Sequence, residues 1–359
     1  MAFSLEKFFV DIFNPEKGEV VTVIHDLPHG GISDMSRWKE RRAMAAEWRE
    51  GLSKLAGKFG VTVNPLVTYL ATGGNNADLP STCRIGDREA NFEELISSST
   101  IIIVMPQFSA TAPLYNYARK LDRLRVGSMP GCQKFMEETG LSADYAKIAE
   151  RCKRIAPYFE KAVAGEVEFS TGHKCYFDLS NNLPVHRDDG ILHPSKAGKD
   201  GALSNLPAGE VFVTPNENDG SKTAGELPHR IGNQTVVYVV KGNRIVDVKG
   251  SGPEVEKLRE EFAKDRAWQN IAEFAIGCND KAKVTGIVLE DEKAGFHWAY
   301  GRSDHFGGKT GVKDFISPSH VVHQDVVYAK DSPISCKLLE VIYSDGKRDA
   351  LIKDGDILV

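Results

Sequence analysis

Residues 100–105, with the sequence TIIIVM, constrain the fold of this chain more strongly than any other segment. A strand with the five consecutive apolar residues that follow Thr100 suits burial on both faces, which is typical of parallel sheets covered by helices on either side. Residues 19–24 (EVVTVI) predict a second buried strand. Between the two strands, residues 34–59 are rich in Ala, Glu, Lys and Arg, with apolar residues at helical spacing. The first half of the chain is therefore predicted to be α/β.

The pattern changes near Gly165. Beyond this point the predicted strands are short, punctuated by Gly and Pro, and often polar on one face, as in residues 235–240 and 244–248. The Lys-Gly-Asn sequence between these two strands predicts a hairpin turn. We therefore predict an α/β domain with a parallel sheet over residues 1–165, followed by a β-rich α+β domain over residues 166–359.

Composition excludes several classes of protein. A length of 359 residues suggests about two domains. The formal net charge of −5 argues against a nucleic-acid-binding protein. No apolar stretch approaches the length of a membrane-spanning helix, and the six scattered cysteines suit reduced thiols. We expect a cytoplasmic protein that binds neither nucleic acid nor a membrane.

Residues 305–311 (HFGGKTG) contain the GKT of a phosphate-binding loop. The complete motif needs a glycine five residues before Gly308, where this chain has Ser303. A phosphate loop is therefore rejected, and the absence of HExxH and GxSxG leaves many familiar hydrolases unsupported.

His323 and Asp325 form an HxD pair within the apolar segment VVHQDVVYA. Residues two apart on a strand share a face, so both side chains should project together. An ionised carboxylate on an apolar strand is costly unless it is paired or bound to a cation. Either a structural His–Asp pair or a metal site would account for this pattern.

His297 lies in the alternating segment FHWAYG. The aromatic residues share one strand face and suit a core, whereas His297 shares the other face with Ala299 and Gly301. These small neighbours leave room for a ligand or a metal ion, and a hydrogen-bonded core histidine is the alternative.

Three glutamates in the second half complete a candidate ligand set. Glu210 lies in GEVFVTP, Glu273 in AEFAIG, and Glu292 five residues before the histidine of EDEKAGFH. Glutamate is rarely fully buried without a partner. Carboxylate oxygens mixed with imidazole suit Zn, Mn, Co or Fe, and six such ligands suffice for two ions that share bridging carboxylates.

The ordered series GEVFVTP, AEFAIG, EDEKAGFHWAYG and HQD resembles the M29 family of metallo-aminopeptidases, the aminopeptidase T group. The resemblance covers roughly residues 200–330. It implies an N-terminal α/β domain, a β-rich catalytic domain, a homodimer, and a centre of two divalent ions such as Zn, Co or Mn. The metal ligands that it implies are Glu210, Glu273, Glu292, His297, His323 and Asp325.

One departure concerns a tyrosine that the family places seven residues after the histidine matching His297. Asp304 holds that position here, and His305 follows it. The chain is also shorter than typical members. The 2,5-dihydroxypyridine dioxygenases resemble shortened members that use one Fe(II). They keep the H-x-D but have a histidine near the position of Glu273.

The leading hypothesis is a hydrolase resembling leucyl aminopeptidase, in which metal-activated water attacks an amide carbonyl of a small molecule or short peptide. Glu210 is the expected general base, and Glu292 could exchange roles with it. His305 or Asp304 is expected to replace the tyrosine. A mononuclear Fe(II) ring-cleaving dioxygenase is the alternative, with His323, Asp325 and either a carboxylate or His297 as ligands.

Overall fold

The computed structural model describes residues 3–199 and 201–359. The α-helices in these ranges are α1 (Leu5–Phe13), α2 (Ser36–Phe59), α3 (Phe92–Ser98), α4 (Thr111–Lys120), α5 (Tyr145–Lys161), α6 (Pro253–Lys264) and α7 (Val288–Asp291). None of these helices is long and apolar enough to cross a membrane.

The strands of the first part are β1 (Val20–Leu27), β2 (Thr62–Val63), β3 (Val67–Leu70), β4 (Thr82–Ile85), β5 (Arg88–Asn91), β6 (Ile101–Val104) and β7 (Arg125–Ser128). Those that follow are β8 (Ala162–Phe169), β9 (Lys174–Asp178), β10 (His186–Asp188), β11 (Leu203–Asn205), β12 (Glu210–Val213), β13 (Ala224–Ile231) and β14 (Gln234–Lys241). The last are β15 (Arg244–Lys249), β16 (Ile271–Gly277), β17 (Phe296–Gly301), β18 (His323–Tyr328), β19 (Cys336–Tyr343), β20 (Arg348–Lys353) and β21 (Asp356–Ile357).

The first compact unit contains a mixed sheet in the order β11–β7–β6–β1–β3–β4–β5. Strands β1, β3, β6, β7 and β11 run parallel, and β4 and β5 add an antiparallel hairpin at one edge. Strand β6 is the predicted apolar strand, and each of its residues is buried. The prediction of a parallel sheet from TIIIVM is therefore confirmed.

The second compact unit contains two antiparallel sheets. The larger has the order β15–β14–β13–β9–β8–β19–β20–β21, and the smaller has the order β10–β12–β16–β17–β18. Aromatic side chains of both sheets form the core: Phe177 of β9 packs on Phe274 of β16 with ring centroids 5.0 Å apart. A Cβ atom at Gly165 would lie 2.4 Å from the Phe274 ring, so glycine permits this close packing. The other face of the smaller sheet is thereby left for polar side chains.

The chain passes between the two units more than once. The first unit contains the described residues up to Ala149, together with Asp188–Gly209 and Asp280–Ala282. The second contains Glu150–Arg187, Glu210–Asn279 and Lys283–Val359. This division differs from a single boundary near residue 165, because Leu203–Asn205 pairs with β7 and so draws the segment around it into the first unit.

Candidate metal centre

On the polar face of the smaller sheet, four long polar side chains are each paired with a glycine or alanine on a neighbouring strand. The pairs are Glu210 with Gly277, Glu273 with Ala299, His297 with Ala275, and His323 with Gly301. This pairing of large with small residues gives the long polar side chains room to converge above their small neighbours. The small residues noted beside His297 in the sequence are part of this arrangement.

Two of these glycines are required by backbone contacts. A Cβ atom at Gly277 would lie 2.1 Å from the carbonyl oxygen of Glu292. Gly301 has a φ of +105°, and a Cβ there would lie 2.2 Å from the carbonyl oxygen of Val322. Any side chain at either position would displace the backbone that carries a candidate ligand or its neighbour.

The first ligand group consists of Glu210, Glu273 and His297, all of them buried. His297 Nε2 lies 3.3 Å from Glu210 Oε2 and 3.5 Å from Glu273 Oε1. One ligand atom from each residue lies within 4.8 Å of the others, so the group could hold a metal ion. His297 Nδ1 donates to the carbonyl of Gly295 at 3.2 Å, which fixes the ring with Nε2 facing the carboxylates.

Two atoms of this group indicate that it suits a cation. Glu210 Oε2 and His297 Nε2 are buried 3.3 Å apart, and neither makes a hydrogen bond of good geometry within the described part of the chain. A buried polar atom without a partner costs about 1–3 kcal/mol. A divalent ion between these atoms would satisfy both, so the residues present fit a metal.

The second ligand group consists of Glu273, His323 and Asp325. His323 Nε2 lies 3.0 Å from Glu273 Oε2 and 3.6 Å from Asp325 Oδ1. His323 Nδ1 donates to the carbonyl of Arg302 at 2.7 Å and so orients the ring. Glu273 presents Oε1 to the first group and Oε2 to the second, so its two oxygens face different ligand groups.

Glu292 lies beside these groups and belongs to neither. It begins the short 3-10 helix Glu292–Ala294. The ammonium of the next residue, Lys293, lies 2.6 Å from Glu292 Oε1 and 2.6 Å from Glu210 Oε1, and its side chain is completely buried. Sequence reasoning overlooked Lys293 because the charged run EDEK is typical of a solvated turn.

The side chains of the centre shift one another's pKa values. Burial raises the pKa of Glu292 well above its usual value, and the carboxylates of Glu210 and Asp325 add to this effect. Burial also disfavours the charged forms of His297 and His323, yet the surrounding carboxylates raise both pKa values well above the ordinary histidine value. The carboxylates and imidazoles of this centre therefore compensate one another's charge.

Asp304 and His305, the candidates to replace the family tyrosine, lie in the turn Asp304–Phe306. Burial opposes ionisation of Asp304, yet His305 and Arg302 lower the pKa of its carboxyl to about 2. Asp304 accepts a hydrogen bond from Arg302 Nε at 2.6 Å and belongs to neither ligand group. The His305 ring centroid lies 5.4 Å from that of His323, so His305 stands beside the second ligand group.

The loop carrying His305 is anchored. Glu217 accepts hydrogen bonds from Ser303 Oγ, at 2.6 Å, and from the backbone N–H of Lys309. A tethered loop of this kind holds His305 at a fixed position beside His323.

A row of rings that sequence reasoning missed leads away from the centre. His186 stacks on Phe212 with centroids 5.0 Å apart, and Phe212 contacts Phe306 at 4.6 Å. Phe306 lies 5.5 Å from the His323 ring. These rings come from distant parts of the chain. Only the alternation in GEVFVTP indicated one of them, because it places the side chain of Phe212 on the polar face. Tyr300 lies elsewhere, packed on Phe262 at 5.2 Å, and does not replace the tyrosine.

His320 anchors the segment that leads into β18. Its Nδ1 lies 2.7 Å from Asp265 Oδ2, and its Nε2 lies 2.5 Å from Glu261 Oε2. Partial burial opposes the charged ring, but both carboxylates raise the pKa of His320, while His320 contributes to the lowered pKa values of Glu261 and Asp265. At pH values between the lowered pKa values of the two carboxyls and the raised pKa of His320, the ring is protonated and both acids are ionised. The ion pairs therefore form in this pH range.

A pH-dependent stability follows from this interaction. A raised histidine pKa stabilises the fold below the unfolded-state value, and that contribution is lost as pH rises through the folded-state pKa. We expect His320→Gln to lower the melting temperature by roughly 2–4 °C near pH 6 and by less near pH 9. Thermal melts of both proteins across this range test the expectation. A difference that stays constant or grows towards pH 9 would contradict it.

Two solved structures share the fold of this chain along almost its whole length. One is 2,5-dihydroxypyridine dioxygenase from Pseudomonas putida KT2440, with a TM-score of 0.65 and 15% identity over 99% of this chain and 97% of the other. The other is wild-type AmpT from Thermus thermophilus, with a TM-score of 0.59 and 15% identity over 99% and 98%. Comparison with protein-family models and with curated proteins gave no match. The chain therefore has a fold found in a dioxygenase and in an aminopeptidase, and such low identity establishes the fold alone.

Proposed function

We propose that this chain is a metal-dependent hydrolase of the aminopeptidase type that uses two divalent ions. The position of Glu273 carries the proposal, since one of its oxygens belongs to each ligand group. Two-metal hydrolytic sites hold their ions roughly 3.5–4 Å apart, a spacing that a bridging carboxylate accommodates. A single-ion site has no need of a carboxylate shared in this way.

The chain's own residues have distinct parts in this scheme. Glu210, Glu273 and His297 would hold one ion, and Glu273, His323 and Asp325 the other. When bound, such ions polarise a carbonyl and lower the pKa of water. Glu292 stands outside both groups, which favours it over Glu210 as the residue that accepts a proton from the attacking water and passes it to the leaving amine.

Metal content tests this proposal directly. The chain is purified without chelator, its metal is counted per chain, and hydrolysis of amino-acid anilides is measured. About two Zn, Mn or Co per chain with amide hydrolysis would support the proposal. A single oxygen-sensitive Fe together with inert anilides would contradict it.

A mononuclear Fe(II) ring-cleaving dioxygenase is the second candidate, and Lys293 favours it. The ammonium of Lys293 already provides one positive charge beside Glu210. The second ligand group, Glu273, His323 and Asp325, would then hold a single ion by itself. The TM-score of 0.65 to the dioxygenase compares with 0.59 to AmpT. Oxygen uptake with dihydroxylated aromatic rings, after loading with Fe(II) under argon, separates this candidate from the hydrolase.

Activity is predicted to depend on His305. Burial lowers the pKa of His305, which leaves the ring neutral near pH 7 and able to donate one hydrogen bond to a substrate oxygen. We expect His305→Ala to lower kcat/KM by about 10–100-fold, and His305→Tyr to retain more activity because a phenol also donates. Unsubstituted leucine-type substrates should be turned over poorly by the wild type.

The measurement is steady-state kinetics on anilides and on dihydroxylated rings, with His173→Ala as the matched control. His173 lies on an external turn, with 27% of its side chain exposed. Vigorous anilide hydrolysis that neither His305 variant changes would remove His305 from the site.

A further inference from the structure

Lys293 is an unusual residue to find at the centre of this cluster. Its side chain is fully buried, and its ammonium lies 2.6 Å from one oxygen of Glu210 and 2.6 Å from one oxygen of Glu292. A buried lysine is costly unless it is paired and hydrogen-bonded. Here the two carboxylates supply that compensation, so the ammonium is held in one position.

Each contact is given by the distance from the ammonium to Oε1 of a glutamate. With Oε1 of Glu210 held by Lys293, Oε2 is directed at His297 Nε2, 3.3 Å away. The same ammonium lies 2.6 Å from Glu292 Oε1 and so holds that carboxylate in place. A carboxylate is planar, so an ammonium held against one of its oxygens also fixes the direction of the other oxygen.

We propose that Lys293 is a positioning residue that fixes the orientation of the Glu210 and Glu292 carboxylates. This inference rests on the proposed hydrolase. Glu210 then directs Oε2 at the first ligand group, and Glu292 is held where it can accept the proton of the attacking water. Without the ammonium, both glutamates are free to turn both oxygens towards bound cations.

Removal of the ammonium has opposite consequences for metal binding and for turnover. Lys293→Met leaves four neighbouring acidic residues, Glu210, Glu273, Glu292 and Asp325, without a fixed positive charge. Metal ions then carry a larger share of the compensation for these carboxylates. We expect Lys293→Met to bind Mn²⁺ at least as tightly as the wild type, and to gain a larger increase in melting temperature on saturation. We expect kcat to fall by about tenfold or more, with KM changed by less than about threefold.

The experiment compares wild type, Lys293→Met and Lys337→Met as full chains. Lys337 is the charge-matched control, since it pairs with Glu168 at 2.6 Å on the surface and is 56% exposed. Calorimetric titration with Mn²⁺ and thermal melts with and without the metal are read beside the kinetics. Weaker Mn²⁺ binding by Lys293→Met than by the wild type would overturn the role of Lys293. An unchanged kcat would overturn it as well.

A second variant keeps the inference testable if Lys293→Met does not fold. Glu292→Gln with Lys293→Met removes one negative and one positive charge together, and so preserves the net charge of the cluster. Its Mn²⁺ affinity should stay within about threefold of the wild type while turnover is lost. Loss of Mn²⁺ binding in the double variant would identify Glu292 as a ligand and overturn the inference. A wild-type chain that binds no Mn²⁺ would instead overturn the proposed hydrolase, and this role with it.

Discussion

Glu273→Gln is expected to reduce bound metal from two ions per chain to one at most, and to lower kcat by about 10³-fold or more. Glu273 is the one residue shared by both ligand groups, so the substitution removes a negative charge and a ligand from each. Glutamine keeps the size of the side chain, but its amide nitrogen cannot ligate and would face either His297 or His323. The substitution therefore weakens metal binding more than it disturbs the packing of the side chain.

Metal content by plasma mass spectrometry, measured beside kinetics, checks this expectation. Glu226→Gln is the matched control, because Glu226 forms an external ion pair with Lys249 at 2.6 Å and is 37% exposed. Full metal occupancy in Glu273→Gln would contradict the shared-carboxylate arrangement. Retention of one ion together with full activity would favour a single-metal enzyme.

Removal of the metal is expected to lower the melting temperature of the wild type by roughly 10 °C. A ligand present at 1,000 times its dissociation constant stabilises the folded state by about 4 kcal/mol, and each kcal/mol corresponds to about 2–4 °C in a domain of this size. The physical source is the cluster of buried acidic residues, which repel one another when no divalent ion lies between them.

Asp325→Ala separates this effect from general destabilisation. Asp325 lies at the edge of the second ligand group, on β18, so its removal should abolish binding of that ion and leave the fold largely intact. We expect the melting temperature of the variant to respond far less to metal than that of the wild type. Melts of the wild type that overlay with and without a chelator would contradict the metal centre itself.

Much of the candidate site follows from strand periodicity. Because side chains alternate along a strand, HQD places His323 and Asp325 on one face, and FHWAYG places His297 on a face with two small residues. The structure has both arrangements, with His323 Nε2 3.6 Å from Asp325 Oδ1. The apolar strand β6 was predictable for the same kind of reason, since an uninterrupted apolar run can be buried only in a sheet covered on both sides.

Other features depend on residues far apart in the sequence. The single boundary expected near residue 165 gave no sign that Asp188–Gly209 belongs with the first unit, because that membership depends on pairing between β11 and β7. No local sequence pattern indicates a role for His320. In the structure its ring contacts Asp265 and Glu261, which lie more than fifty residues earlier in the chain.

Local sequence determined which side chains share the polar face of the smaller sheet, because alternation is a property of a single strand. The tertiary structure alone decided how those side chains are combined. It brings Glu273 between two histidines from different strands and inserts the ammonium of Lys293 between Glu210 and Glu292. The run EDEK is compatible with a solvated turn, and only the packing of its backbone against Gly277 buries the lysine among carboxylates. Burial and long-range pairing set the charge of this centre, and neither is encoded in a local pattern.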